Sequence, residues 1–114
     1  MNDNEVNKII AEYMGYHFIP EDAVCTEAYW NEERDNAIDI DHFTKSLDAL
    51  IPVWKKMNSY SQNFLYAKIN SEFVWIASIR IQIACITHYI SSNHENKTVA
   101  SAHATAKAIL KLEE

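Results

Sequence analysis

Apolar residues recur every three to four positions in three stretches of the chain and at alternate positions in one, and this contrast sets the expected elements. Val6, Ile9, Ile10, Tyr13 and Met14 follow helical spacing behind Asn2, Asp3 or Asn4 as cap, which predicts a helix over about 4–14. The pattern stops at Gly15, the single glycine of the chain, which suits a helix end because a left-handed backbone costs glycine little. Phe43, Leu47, Leu50, Ile51, Trp54 and Met57 trace one face of a second helix over about 44–58, with Asp41, Thr44 or Ser46 as cap. Pro52 inside it predicts a kink or a shifted start, because proline lacks the N–H and crowds the preceding turn. Val99, Ala102, Ala106, Ile109 and Leu110 predict a closing helix over about 98–112, capped by Thr98, whose alanines permit close packing. About three helices are therefore expected.

Strands are expected within 62–90, where Phe64, Tyr66, Phe73, Trp75, Ile79, Ile81, Ile83 and Cys85 alternate with other residues. Asn70-Ser71 reads as a turn, and the run from Phe73 to Ile90 exceeds a typical strand, so a second turn is expected near Ala77-Ser78. The even positions Val74, Ile76, Ala84, Ile86 and Ile90 are also apolar, which predicts a sheet covered on both faces. From 16 to 41 the period is lost. This stretch reads as a long loop with short extended pieces, such as Tyr16, Phe18 and Ile19, pinned by Tyr29 and Trp30. The resulting expectation is one α+β domain spanning 1–114, a helix/sheet/helix sandwich around a small, mainly antiparallel sheet.

With 114 residues the chain suits one core. No apolar stretch is long and unbroken enough for a membrane span, and no export signal precedes the first helix, so a cytoplasmic location is expected. Cys25 and Cys85 match no zinc spacing and read as free thiols, with Cys85 a small buried hydrophobe in its apolar run. The net charge of −6 is unevenly spread. Glu21, Asp22, Glu27, Glu32, Glu33, Asp35, Asp39 and Asp41 crowd one segment against Arg34 alone, whereas the remainder to Leu112 is mildly basic. This balance argues against a nucleic-acid partner, which clustered Lys and Arg would attract.

Candidate chemistry is sparse. A lone glycine rules out a glycine-rich phosphate loop, and no G-x-S-x-G elbow occurs. Asp39, Asp41 and His42, with His17, His88, His94 and His103, supply groups for a metal or an acid–base pair, but at no recognised spacing; a solvated turn and a helix cap explain Asp39 and Asp41 equally well. No catalytic residue, metal ligand or cofactor is therefore assigned. Tyr29 and Trp30 among carboxylates form either an interface hot spot or an anchor for their own loop. Trp54 and Trp75 fall on expected core faces.

Three segments taken together resemble the phage ABA sandwich domain family: NKIIAEYMG at 7–15, SLDALIPVW at 46–54 and ASAHATAKAI at 100–109. The similarity runs in order along most of the chain and holds only in general character over about 59–96. It implies a helix/sheet/helix sandwich of phage or prophage origin and brings no catalytic residue or cofactor with it. The acidic segment has no family pattern.

The leading expectation is an accessory protein without enzymatic activity that binds a host or phage protein through the acidic loop 21–41, using Tyr29, Trp30, Glu32, Glu33, Asp35 and Asp39. The alternatives are sequestration of a small molecule, with Arg34, Lys68 or Arg80 meeting an anion, and a minor metal-dependent enzyme built on the histidines and carboxylates. Self-association is compatible with any of these.

Overall fold

A computed structural model describes residues 1–21, 26–31, 33, 36–59 and 61–114. In chain order the elements are α1 (Asp3–Tyr13), β1 (His17–Ile19), β2 (Ala28–Asn31), β3 (Asn36–Asp39), α2 (His42–Lys45), a 3-10 turn (Asp48–Leu50), α3 (Ile51–Lys56), β4 (Ser61–Ile69), β5 (Glu72–Ile83), β6 (Ile86–His94) and α4 (Lys97–Leu112). Among the described residues the fold is α+β, with four helices and two antiparallel three-stranded sheets, ordered β1-β2-β3 and β4-β5-β6.

Local chemistry accounts for the ends of α1. The Asn2 side chain accepts a hydrogen bond from the Glu5 N–H at 2.9 Å, and Asp3 and Glu5 place negative charge on the first turn, where the helix dipole favours it. At the other end Gly15 takes φ +87°. Its N–H reaches the Glu12 carbonyl while the Tyr16 N–H reaches that of Ala11, a Schellman closure that turns the chain into β1.

The second helical stretch is broken rather than kinked. Ser46 is extended after α2, and residues 48–50 form a tighter turn. Pro52 then sits in the first turn of α3, where its missing N–H has no intrahelical partner to lose. A fourth helix results, beyond the three expected. Asn58, at φ +57°, ends α3 in the manner of Gly15.

The long sheet departs from expectation at its second turn. β5 runs unbroken from Glu72 to Ile83, because Ala77, Ile79 and Ile81 are buried in the core and hold the strand straight through the expected turn. The chain reverses instead at Ala84-Cys85, both at positive φ, as it does at Asn70-Ser71. Cys85 is therefore an exposed turn residue, not a buried hydrophobe.

Strand pairing sorts the long sheet into two faces. Phe64, Trp75, Ala77, Ile79, Ile81 and Ile90 share the inner face with partners set by the register. Against it lies α4, which begins at an Asn96 cap rather than at Thr98 and buries nine residues, five of them alanine. α1 packs on α4 in turn. Val6, Ile10, Leu50, Val53, Ile79, Ile81 and Ile109 join Tyr16, Tyr29 and Ile38 from the region of the small sheet in one core.

Polar side chains inside this core are satisfied. Asn7, 1% exposed, donates to the Asp3 carbonyl and to Thr44 Oγ1 and accepts from the Phe43 N–H, tying α1 to α2. Trp54 Nε1 donates to Thr105 Oγ1, which donates to the Ser101 carbonyl. The outer face carries Leu65, Ala67, Ile69, Val74, Ile76 and Tyr89, and here the expectation of cover on both sides fails: Leu65 is 60% and Tyr89 68% exposed. The helical layers lie on the inner side, because the described helix contacts to the long sheet run through α4 and through Trp54 against Phe64.

Candidate functional site

Where a loop was expected over 16–41, the described residues form the small sheet. Phe18, Tyr29 and Ile38 stand opposite one another across its three strands, forming one apolar row. Tyr29 is buried, with its ring edge-on to that of Phe18 at 5.8 Å between centroids. Asn31, also buried, donates to the Met14 carbonyl at the end of α1, and Asn36 donates to the Tyr16 hydroxyl. The short strands are thus pinned to α1 by their own side chains.

Between α1 and this sheet lies a groove of about 420 Å3. Phe18, Tyr29 and Ile40 give it an apolar floor, while Asn2, Asn4, Glu5, Lys8 and Glu27 form the rim. It continues into an open trough lined by Glu21, Glu27, Asp39, Asp41 and Lys45, with Asn4, Glu27 and Ile40 common to both. Burial and the nearby Glu12 and Glu27 carboxylates push the Tyr29 phenol above its ordinary pKa. It therefore stays a neutral hydroxyl beside the acidic rim.

Lys45 bridges the trough wall, 2.8 Å from Asp39 and 3.3 Å from Asp41. Its hydrogen bond holds the Asp39 carboxyl below the usual range, and the two carboxylates raise the Lys45 ammonium. All three side chains are more than half exposed, so the cluster fixes local geometry more than it stabilises the fold. His42 packs edge-on against Phe43, and burial lowers its pKa despite the carboxylates of Asp39 and Asp41.

The six residues singled out for partner binding separate as follows. Tyr29 is a core anchor whose ring also lines the groove. Trp30, half-buried, alternates to the opposite face of β2. Asp39 lines the trough. Glu33 is exposed and lines a separate small cleft with Met14, Gly15, His17, Asn31 and Lys56. Glu32 and Asp35 lie outside the described residues, as do Arg34 and Cys25. Phe18 and the first turn of α1 were missed by sequence reasoning, while Glu27 and Ile40 fell within the loop 21–41 but were not singled out; the signal was Phe18 just before the acidic run and Ile40 near its end, both at positions with no helical partner.

The groups considered for other chemistry do not converge. Lys68 stands opposite Phe73 and so shares the inner face of the long sheet, whereas Arg80 belongs to the outer face. His103 lies 2.8 Å from Asp3 and stacks against His94 at 6.5 Å between centroids. Among the described residues no group of three or more His, Cys, Asp or Glu is placed to hold a metal ion, and no helix is long and apolar enough to cross a membrane. Trp75 joins Tyr66 and Phe73 in an aromatic cluster on the β4–β5 hairpin, with Lys97 over the Phe64 and Trp75 rings. The chain matches no family model, no curated protein and no solved structure.

Proposed function

We propose that the chain is an accessory protein without enzymatic activity that binds a partner protein, receiving a basic, partly apolar segment of it in the groove between α1 and the small sheet. The observation that carries this reading is the pairing of an apolar floor, Phe18, Tyr29 and Ile40, with a rim and trough rich in carboxylates, Glu5, Glu21, Glu27, Asp39 and Asp41. Apolar side chains on a partner segment would bury against the floor and supply most of the affinity. Its Lys or Arg side chains would meet the carboxylates, which speed encounter and select against acidic competitors.

The likeness of segments 7–15, 46–54 and 100–109 to the phage ABA sandwich family supports a phage or prophage origin, and with it action in the bacterial cytoplasm.

The test is a fluorescence anisotropy titration of a labelled amphipathic Lys/Leu peptide, with a Glu/Leu peptide as control. Binding of the basic peptide alone is expected, weakening as salt rises from about 50 to 300 mM. Phe18→Ala and Glu27→Lys should each weaken it by about tenfold or more. Equal affinity for both peptides, or indifference to both substitutions, would remove the groove as the binding site.

A further inference from the structure

We infer that the inner face of the β4–β5 hairpin takes a single strand of nucleic acid, its bases stacking on Tyr66, Phe73 and Trp75 and its phosphates meeting Lys68 and Lys97. This site is separate from the groove and does not depend on it. Alternation along the strands puts Tyr66 and Lys68 of β4 on the same face as Phe73 and Trp75 of β5, with Tyr66 opposite Trp75 and Lys68 opposite Phe73. On β6, His94 stands opposite Trp75. The same face is buried at Ala77, Ile79 and Ile81, yet toward the hairpin turn Tyr66 is 54% and Phe73 56% exposed. Large aromatic side chains left open together on one face mark a binding surface.

Ring geometry and charge select the occupant. The rings form a continuous row: Phe73 stacks on Tyr66 at 5.5 Å between centroids and 15° between planes, and Tyr66 meets Trp75 at 5.0 Å. A cation closes each end of the row, Lys68 Nζ 5.8 Å from the Phe73 centroid and Lys97 Nζ 5.1 Å from that of Trp75. Among the described residues neither lysine is ion-paired with a carboxylate. Lys97 also opens α4, at the positive end of its dipole. His94 accepts the Asn96 N–H at Nδ1, which leaves Nε2 as its donor. Half-open conjugated rings between two cations complement a chain in which planar bases alternate with phosphates, and such stacking accepts any base because every base has a π-face. A duplex keeps its base faces stacked on one another and cannot use the row.

The size of the row sets the strength. Its rings suit about two or three nucleotides. The net charge of −6 opposes long-range attraction. Glu95 lies exposed just before α4, whereas Glu72 alternates to the opposite face. Binding is therefore local and weak, with a dissociation constant on the order of 100 μM, and contacts from Lys68 and Lys97 to one phosphate each give a log–log salt slope of about −1.4.

The test is a fluorescence anisotropy titration of a labelled dT strand of about ten nucleotides with the full chain up to about 1 mM. An abasic strand of the same length, a duplex and a Glu/Leu peptide serve as comparisons, and circular dichroism confirms that each variant is folded. The dT strand is expected to bind, with the abasic strand and the duplex about tenfold weaker. Tyr66→Ala and Phe73→Ala should each weaken the dT strand about tenfold, since a base loses its stacking surface, while Tyr66→Phe retains it. Lys68→Gln, at an exposed position, should weaken it about threefold and flatten the salt slope by about 0.7. Absence of binding over this range would overturn the proposal. So would equal affinity for the abasic strand, which would leave charge alone as the cause, or tighter binding of the Glu/Leu peptide, which would make this face a protein contact. Indifference of the dT strand to both alanine variants, each folded, would overturn it as well by placing the strand elsewhere on the molecule.

Discussion

The two sheets of this molecule solve the same problem at different scales. The small sheet has strands of three or four residues, too short to stand alone, and it is held by a few specific bonds: Tyr29 and Ile38 in the core, Asn31 on the end of α1, Asn36 on Tyr16. The long sheet has strands of nine and twelve residues and is held by α4 lying along one face. Its other face shows large apolar side chains to solvent. Short strands take their order from anchors, long strands from a covering layer, and where that layer is missing the surface is available for association.

The sharpest way to break this contrast is to substitute across the long sheet. Ile79, 1% exposed beneath α4, changed to Ala should cost about 2–5 kcal/mol of unfolding free energy, from lost burial and a cavity. Leu65→Ala on the outer face, assayed at a concentration low enough for monomer, should cost less than about 0.5 kcal/mol. Urea denaturation of both variants gives the comparison, and similar losses would mean that the outer face is covered within one chain. A smaller effect is expected at the joint between α1 and the small sheet. Gly15→Ala places a Cβ at φ +87°, with Asn31 Nδ2 as its nearest neighbour at 3.5 Å. There is room for the methyl group, so the cost is backbone strain of about 1–2 kcal/mol, and a near-UV spectrum should show whether Tyr16 and Tyr29 keep their packing.

The smallest effect is a gain. Ala84-Cys85 makes a tight two-residue reversal with both residues at positive φ, a conformation that favours Asn and Gly. Cys85→Gly should therefore raise stability by about 1 kcal/mol, read as an increase in the denaturation midpoint at an unchanged slope.

That turn also shows why part of the fold was illegible in the sequence. Asn70-Ser71 includes a residue type that tolerates a left-handed backbone, and the hairpin can be read from it. Ala84-Cys85 carries no such signal, so a turn was sought at Ala77-Ser78, which the core instead holds straight. α1 was readable because its spacing and its glycine agree. α2 and α3 merged in the reading because Phe43, Leu47, Leu50 and Trp54 keep helical spacing across a break set by Ser46 and Pro52. The small sheet was hidden because its strands are shorter than any periodic window, and their burial depends on long-range anchors such as Asn31 to Met14. Apolar residues at both odd and even positions of β5 were readable, but alternation alone cannot distinguish a face covered by helix from one left open. For the groove, the acidic residues were evident, whereas the apolar floor joins Phe18 and Ile40 from opposite ends of the segment and needs the fold to bring them together.

The position of α4 in the chain order has a consequence for biosynthesis. It follows every strand, yet it supplies nine buried residues and the surface on which α1 rests. As the chain leaves the ribosome, the long hairpins emerge with both faces wet, while α1 can meet α2 and the small sheet but not the surface of α4. A nascent chain stalled before α4 would present both faces of the long sheet to chaperones and to other nascent chains.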